Sequence, residues 1–326
     1  MSARNPITLS DASPPPCPEC RATATALVDS VATTELALLY RRHGIDTAPW
    51  FDGVPAIARF RCAVCDLRFF SPACAGGDRF YEQLQRFDWY YQDAKPEYHY
   101  ARQYIHDTQR VLEVGCGKGA FRAFLPESVD YTGLEFNDDA VDKATIAGLN
   151  VRKEPVEAHA TRHPAGYDIV CSFQVLEHVP HPATFLDACV AALADGGLLI
   201  IAVPAEDSFL SVAVNAPLNM PPHHALRWTD RALASMAARR GLSPVALWHE
   251  PVADFHRAWQ AHTLAHRYLV EKGLGSTRLI DTRLRYRALT RLIRNRKVRG
   301  HFAQKALDMH PVLGHGHTVV LVAKKN

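Results

Sequence analysis

No stretch of this 326-residue chain approaches the ~20 consecutive apolar residues that cross a bilayer. The opening MSARNPITLSDASPPPCPEC also lacks the apolar run of a secretory signal, so the expectation is a cytoplasmic protein with no membrane span. Extremes of composition are missing too. Aromatic residues are 9%, charged 22% and hydrophobic 48%, which leaves disorder, collagen and simple coiled coil without support. Net charge is small, +3, but unevenly spread. Residues 253–310 hold 13 Lys/Arg and 4 Asp/Glu, so a basic segment is attached to a mildly acidic body. Such a segment is either a solvated helix surface or a face for phosphate, anionic lipid or nucleic acid. The length suits one large domain or two smaller ones with a full core.

Eight cysteines in a reducing compartment read as thiols or metal ligands, and four of them form two C-x-x-C pairs, Cys17-Pro-Glu-Cys20 and Cys62-Ala-Val-Cys65. Two such knuckles supply four thiolates to one tetrahedral zinc, and the zinc is structural because four sulfurs leave no open position for chemistry. Between the knuckles the pattern predicts a helix over Thr33 to Arg42 and a strand over Ile57 to Arg61. Cys74 is an alternative ligand, whereas Cys116, Cys171 and Cys189 fall inside apolar runs and read as packing residues.

From Gln109 the chain alternates short apolar runs (Val111–Val114, Tyr131–Leu134, Asp168–Phe173, Leu198–Val203) with helical patterns over Ala120–Leu125, Asp138–Leu149 and Pro182–Leu193. This alternation predicts an α/β fold, a doubly wound, Rossmann-like open sheet. A helix over Asp230–Gly241, a strand near Val245–Trp248 and a last strand over His317–Ala323 complete it. The basic segment carries helical spacing at Leu279, Ile280, Leu284, Ala288, Leu289, Leu292 and Ile293. The expected organisation is a zinc-ribbon-like module (1–80), an aromatic lid or linker (81–108), the core (109–252), a basic helical insertion (253–310) and the last core strand (311–326).

The turn Val111-Leu-Glu-Val-Gly-Cys-Gly-Lys-Gly119 joins a strand to a helix, where glycines let the backbone approach a ligand at the carboxyl edge of the sheet. Glu135 ends the next strand, where a carboxylate can accept both hydroxyls of a ribose. A dinucleotide fingerprint needs its third glycine at position 120, which is Ala120.

The observed E-x-G-x-G-x-G with an acid ending the next strand resembles the class I S-adenosylmethionine-dependent methyltransferases. So do Tyr167-Asp-Ile-Val-Cys-Ser-Phe-Gln-Val-Leu-Glu-His-Val179 and Gly196-Gly-Leu-Leu-Ile-Ile-Ala-Val-Pro204. The resemblance implies seven strands with the last antiparallel. It also implies S-adenosylmethionine as cofactor: Glu113, Gly115 and Gly117 at its methionine end, Glu135 at the ribose, Val156 and Glu157 at the adenine, and Phe173 and Gln174 closing the pocket.

Methyl transfer to an alcohol needs alignment and proton removal, for which Glu177 and His178 beyond the fourth core strand are the first candidates. His223 and His224, in Asn219-Met-Pro-Pro-His-His-Ala-Leu-Arg-Trp228, form a second cluster. Gln174, Glu177, His178 and His224 are similar to the metal-binding E-x-x-E-H and later histidine of small-RNA 2′-O-methyltransferases, and the E-H pair to quinone-biosynthesis O-methyltransferases. Gln174 departs from that pattern as a weaker, neutral ligand, so a second divalent metal at Glu177/His178/His224 and a metal-free base both stay open. The histidine cluster with the double C-x-x-C also resembles methyltransferases of polysaccharide and secondary-metabolite pathways. That resemblance implies a sugar, glycan intermediate or other small metabolite as acceptor. Arg283, Arg285, Arg287, Arg291 and Arg294 are expected to hold phosphate on a phosphorylated acceptor. The alternative is an RNA methyltransferase that grips nucleic acid with the zinc module and basic helices. Tyr90, Tyr91 and Tyr98 are candidates for a lid that excludes water.

Overall fold

The computed structural model describes residues 14–85, 87 and 93–326. In chain order the N-terminal part contains β1 (Thr25–Ala32), α1 (Thr33–Arg41), β2 (Ala56–Cys62), β3 (Arg68–Ser71), α2 (Asp78–Gln85) and α3 (Pro96–Arg102). The central part contains β4 (Arg110–Val114), β5 (Asp130–Leu134), α4 (Asp138–Ile146), β6 (Val151–Arg152), α5 (Val156–Arg162), β7 (Tyr167–Phe173), α6 (Pro182–Ala192) and β8 (Leu193–Pro204). Then follow β9 (Leu226–Arg227), α7 (Asp230–Arg239), β10 (Leu242–His249), α8 (Arg257–Glu271), α9 (Leu284–Leu292), α10 (Arg296–Met309) and β11 (Thr318–Lys325).

Seven strands form one sheet in the order β10-β11-β8-β7-β4-β5-β6. β4 pairs in parallel with both β5 and β7, while β11 runs antiparallel between β8 and β10. The unbroken apolar runs explain the centre: helices cover both faces, so Ile169, Val170, Cys171, Leu199, Ile200 and Ile201 are all buried. Strand order reverses at β4, and the crevice outside the carboxyl ends of β4 and β7 is where open α/β sheets take their ligands.

A second sheet, β1-β2-β3-β9, holds the cysteine module. It is not closed within residues 1–80, because its fourth strand is β9, which the chain supplies 155 residues after β3 ends at Ser71 and β9 begins at Leu226. β3 pairs with β9 through Arg68 opposite Arg227 and Phe69 opposite Leu226. Across this seam the buried Glu206 carboxylate meets Arg68 at 2.6 Å and Arg227 at 3.1 Å. From α1, the buried Tyr40 hydroxyl donates toward the carbonyls of Pro217 and Met220, at 2.7 and 2.9 Å. The module is therefore welded to the segment between β8 and α7.

Three expectations are corrected. Ala120–Phe124 is a short 3-10 turn in place of a crossover helix. Leu279 and Ile280 do not begin the basic helix: they lie in the loop before α9 and pack into the cluster formed by Leu36, Tyr40, Ile57 and Phe80. Their apolar spacing reflects docking on the N-terminal module. Tyr98 is a core residue of α3, packed on Phe121, Phe124 and Phe173, while Tyr90 and Tyr91 lie outside the described residues. Among the described residues no helix is long and apolar enough to cross a membrane.

Candidate active site

Two features dominate the functional geometry, a sulfur cluster in the small sheet and a large cavity at the switch point. In the first, Cys17 Sγ lies 3.6 Å from Cys65 Sγ and Cys20 Sγ 3.5 Å from Cys62 Sγ. The four ligand atoms fall within 4.8 Å of one another. These separations are too long for disulfides and near the roughly 3.8 Å edge of a tetrahedron with 2.3 Å zinc–sulfur bonds. The residue after each knuckle, Arg21 (φ 60°) and Asp66 (φ 70°), takes the left-handed conformation, so the two loops share one shape. The hydrogen bond from Cys65 lowers the Cys17 thiol to about 6, which favours a thiolate. Cys74, the alternative ligand, is outside this cluster and packs beside the Phe80 core.

The cavity has a volume of about 1190 Å³ and opens at the carboxyl ends of β4, β5 and β7. Gly115, Gly117 and Gly119 all have positive φ, which only glycine adopts without strain. At Gly115 a Cβ would also come within 2.4 Å of Val175. Glu135 is fixed by backbone donors: Gly117 N–H reaches Oε2 at 2.8 Å, and Phe136 and Asn137 N–H reach Oε1 at 2.8 and 2.9 Å. Oε1 thus accepts twice, and Oε2, with one donor, keeps a lone pair for a further one. Leu134, Phe136, Val156, Glu157, Phe173 and Gln174 all line the same cavity.

Glu113 does not line the cavity. It is buried beneath the glycine turn, accepts from the Tyr131 hydroxyl at 2.5 Å, and burial raises its carboxyl to about 8. Its apparent place in the motif follows from strand alternation, which turns it inward to support the turn.

Opposite the glycine turn, the segment after β7 and the loop before β9 bring Glu177, His178, His223 and His224 together. One ring nitrogen from each of the three histidines falls within 4.8 Å of the others. Glu177 Oε1 lies 3.7 Å from His178 Nε2 and 4.0 Å from His224 Nε2, and its Oε2 is buried with no hydrogen-bond partner. Each imidazole has Nδ1 at a carbonyl oxygen: His178 at His223 O (2.5 Å), His223 at Leu218 O (2.8 Å) and His224 at Asn219 Oδ1 (3.3 Å). A carbonyl only accepts, so each Nδ1 carries the proton, and the Nε2 atoms of His178 and His224, which face Glu177, are the basic or ligating nitrogens. Burial lowers His178 to about 4 and the other two well below their usual range, so the rings are neutral. Burial raises Glu177 to about 8. The sequence offered no signal for His223 beyond adjacency to His224; its role depends on the loop.

Gln174 is outside this group. Its amide donates to Glu97 Oε1 at 3.1 Å and Thr318 Oγ1 at 3.2 Å, on the far side of the cavity floor. Here Glu250, His256, Trp259 and His317 line a further part of the wall, none of which the sequence pattern singled out. The basic arginines are also elsewhere. Arg283 binds Asp281, Arg285 binds the Gly273 carbonyl, and neither these nor Arg287, Arg291 and Arg294 line the cavity.

Residues 82–247 match a family described as a methyltransferase domain, which is about half of the chain. Among relatives, a ubiquinone biosynthesis O-methyltransferase of Psychrobacter arcticus is 32% identical over 182 residues, covering 50% of this chain and 70% of that protein. A protein of the same name from Pectobacterium carotovorum is 38% identical over 96 residues, 27% of this chain and 40% of that one. The chain thus spans less than half the length of some of the curated relatives it matches. A solved S-adenosylmethionine-dependent methyltransferase from Archaeoglobus fulgidus superposes with a TM-score of 0.52 at 18% identity, covering 75% of this chain and all of that one, and so shares the fold. With its glycine turn, its antiparallel last strand and a family match over half its length, the chain belongs to the S-adenosylmethionine-dependent class I methyltransferases.

Proposed function

We propose that the protein methylates a hydroxyl group of a small metabolite, with Glu177, His178, His223 and His224 as the acceptor-activating cluster. The observation that carries this reading is the convergence of three oriented imidazoles and an unpaired buried carboxylate on the cavity that also holds the glycine turn. The ubiquinone biosynthesis relatives, named as O-methyltransferases, support the choice of oxygen.

S-adenosylmethionine supplies a methyl group on a sulfonium. The residues present suit it: the positive-φ glycine turn packs closely on Val175, Glu135 Oε2 has a lone pair for a ribose hydroxyl, and Val156 with Glu157 suits the adenine side. Replacing Glu135 by Ala removes a charge-assisted hydrogen bond of about 1.5–3 kcal/mol. The expected result in calorimetry is a loss of S-adenosylmethionine affinity of at least about tenfold. An unchanged dissociation constant would remove Glu135 from the ribose site.

At the acceptor end, ionised Glu177 takes the hydroxyl proton as the oxygen attacks the methyl and the thioether leaves, and the Nε2 lone pairs of His178 and His224 are placed to accept from a further hydroxyl of the acceptor. The polar groups of Glu97, Gln174, Glu250 and Thr318 beside Trp259 suit a ring bearing several hydroxyls, whether a sugar or a polyphenol. His178, His223 and His224 also form a donor set for a divalent cation, since their Nδ1 atoms are anchored as in ligating histidines, with Glu177 Oε1 3.7 and 4.0 Å from two of them. Such an ion would supply Lewis-acid polarisation of the hydroxyl. The pH profile separates the two modes. Without metal the base must ionise at a carboxyl raised to about 8, so the rate climbs as pH rises through about 8. A bound cation favours the carboxylate and moves this limb lower. Rates of chelator-treated enzyme with and without added manganese, measured from pH 6 to about pH 9, should show that displacement. Profiles that superimpose would exclude the cation.

We also propose that Cys17, Cys20, Cys62 and Cys65 hold a structural zinc. Their four sulfurs match tetrahedral spacing and leave no position for a reactant.

A further inference from the structure

A second, smaller cavity of about 140 Å³ lies where three parts of the chain meet. β2 contributes Arg59, the loop after β8 Ser211, α8 Arg267, and the loop after α8 Ser276, Thr277 and Arg278. Arg59 is only 8% exposed, and its Nε and Nη1 have no hydrogen-bond partner. Among the described residues no carboxylate pairs with it. Asp29, its neighbour across β1 and β2, accepts instead from the backbone N–H groups of Ser30 and Leu279, at 2.8 Å each. Glu206 is held by Arg68 and Arg227, and Glu271 by Arg267.

A guanidinium stays charged in proteins, and an unpaired one in the interior is strongly destabilising. Something must offset it. Three arginines line the cavity: Arg267 is paired with Glu271, whereas Arg59 and Arg278 have no carboxylate partner among the described residues, two positive charges that a dianion matches. The volume equals the share of about five water molecules, enough for one tetrahedral oxyanion. Arginine's fork supplies the planar donors that oxyanions take and the Thr277 hydroxyl a single one, while the Ser211 hydroxyl already donates to the Ser208 carbonyl.

We propose that this cavity binds a free oxyanion of phosphate's size and charge, with Arg59 as its buried anchor and Arg278 and the Thr277 hydroxyl closing around it. The bound ion joins the cysteine module, the basic insertion and the loop after β8. That loop continues from Val214 into Asn215, which lines the acceptor cavity and exchanges two hydrogen bonds of 2.9 Å with the backbone of Asp281. Occupancy at the junction therefore stiffens one wall of the acceptor cavity.

The test is calorimetric titration of the full chain with inorganic phosphate, set against sodium chloride at equal ionic strength and against glycerol phosphate. One phosphate should bind per chain and raise Tm by several degrees at saturation, beyond any effect of chloride. Glycerol phosphate should fail, and equal binding by it would overturn the assignment to a free ion. Arg59→Leu should abolish phosphate binding while melting no lower than wild type in phosphate-free buffer, because an unpaired buried charge has gone. Arg278→Gln, at the exposed rim, is the variant that cannot be lost to misfolding, and it should weaken phosphate at least tenfold. Phosphate heats indistinguishable from chloride, or undiminished in the variants, would overturn the proposal.

Discussion

Glu177→Gln is expected to slow methyl transfer by about two to four orders of magnitude, the range contributed by a positioned general base, while S-adenosylmethionine binds as before. The substitution keeps the volume of the side chain and removes only its ability to ionise. Oε2 of Glu177 has no partner and the residue is 1% exposed, so wild type carries an unsatisfied buried carboxyl in its resting state. Functional sites commonly hold such groups at a cost in stability. The amide variant should accordingly melt at the same temperature as wild type or higher. Full activity in Glu177→Gln would transfer the proton-accepting role to a histidine, and lost cofactor affinity would show that the substitution had disturbed the donor half of the cavity.

The second large effect is expected from zinc removal, by Cys62→Ser or by a strong chelator. Structural zinc sites contribute apparent binding energies of about 10–16 kcal/mol, comparable to the whole stability of a typical domain. The module should unfold as a unit, with zinc content near zero and a first melting transition well below that of the wild type. Its effect should also reach the chemistry. Phe70 N–H donates to the Ala225 carbonyl at 3.0 Å, directly after His224, and Tyr40 holds the carbonyls of Pro217 and Met220. Loss of the module releases the histidine loop, so acceptor turnover should fall at least a hundredfold while S-adenosylmethionine affinity, set by β4 and β5, changes little. A Cys62→Ser protein with full zinc and an unchanged melting curve would refute the cluster. One that loses zinc but keeps turnover would refute the coupling through β9.

The core was legible because its signals are local. The glycine turn, the acid ending the next strand and the buried apolar runs each lie within a dozen residues, and β4, β5, β7 and β8 follow the expected spans closely. The cysteine knuckles were legible for the same reason. Features that depend on distant pairing were not. β1 is a largely exposed edge whose apolar and polar residues do not alternate, and β9 is only two residues long, recognisable as a strand only through β3. The spacing at Leu279 and Ile280 suggested a helix because a docking contact leaves the same apolar mark as a helical face. Arg59 was invisible as a site residue, since a single arginine in a strand says nothing of the serines and arginines that two other segments bring beside it. His223 was a candidate beside His224, but the orientation of its ring, with Nδ1 at the Leu218 carbonyl, is set by the loop and could not be read from adjacency.

The way the cavity is assembled also bears on how such an enzyme can diversify. Its cofactor half is built from the carboxyl ends of β4, β5 and β7, strands that the fold cannot alter without losing its core. Its acceptor half is built largely from the histidine loop, braced by an appended module, and from His256 and Trp259 at the start of the insertion. Sequence change in these outer parts can redirect the enzyme to a new hydroxyl without renegotiating the donor site. Inheritance can thus act on the two halves separately, with one conserved by its packing and the other free to be exchanged.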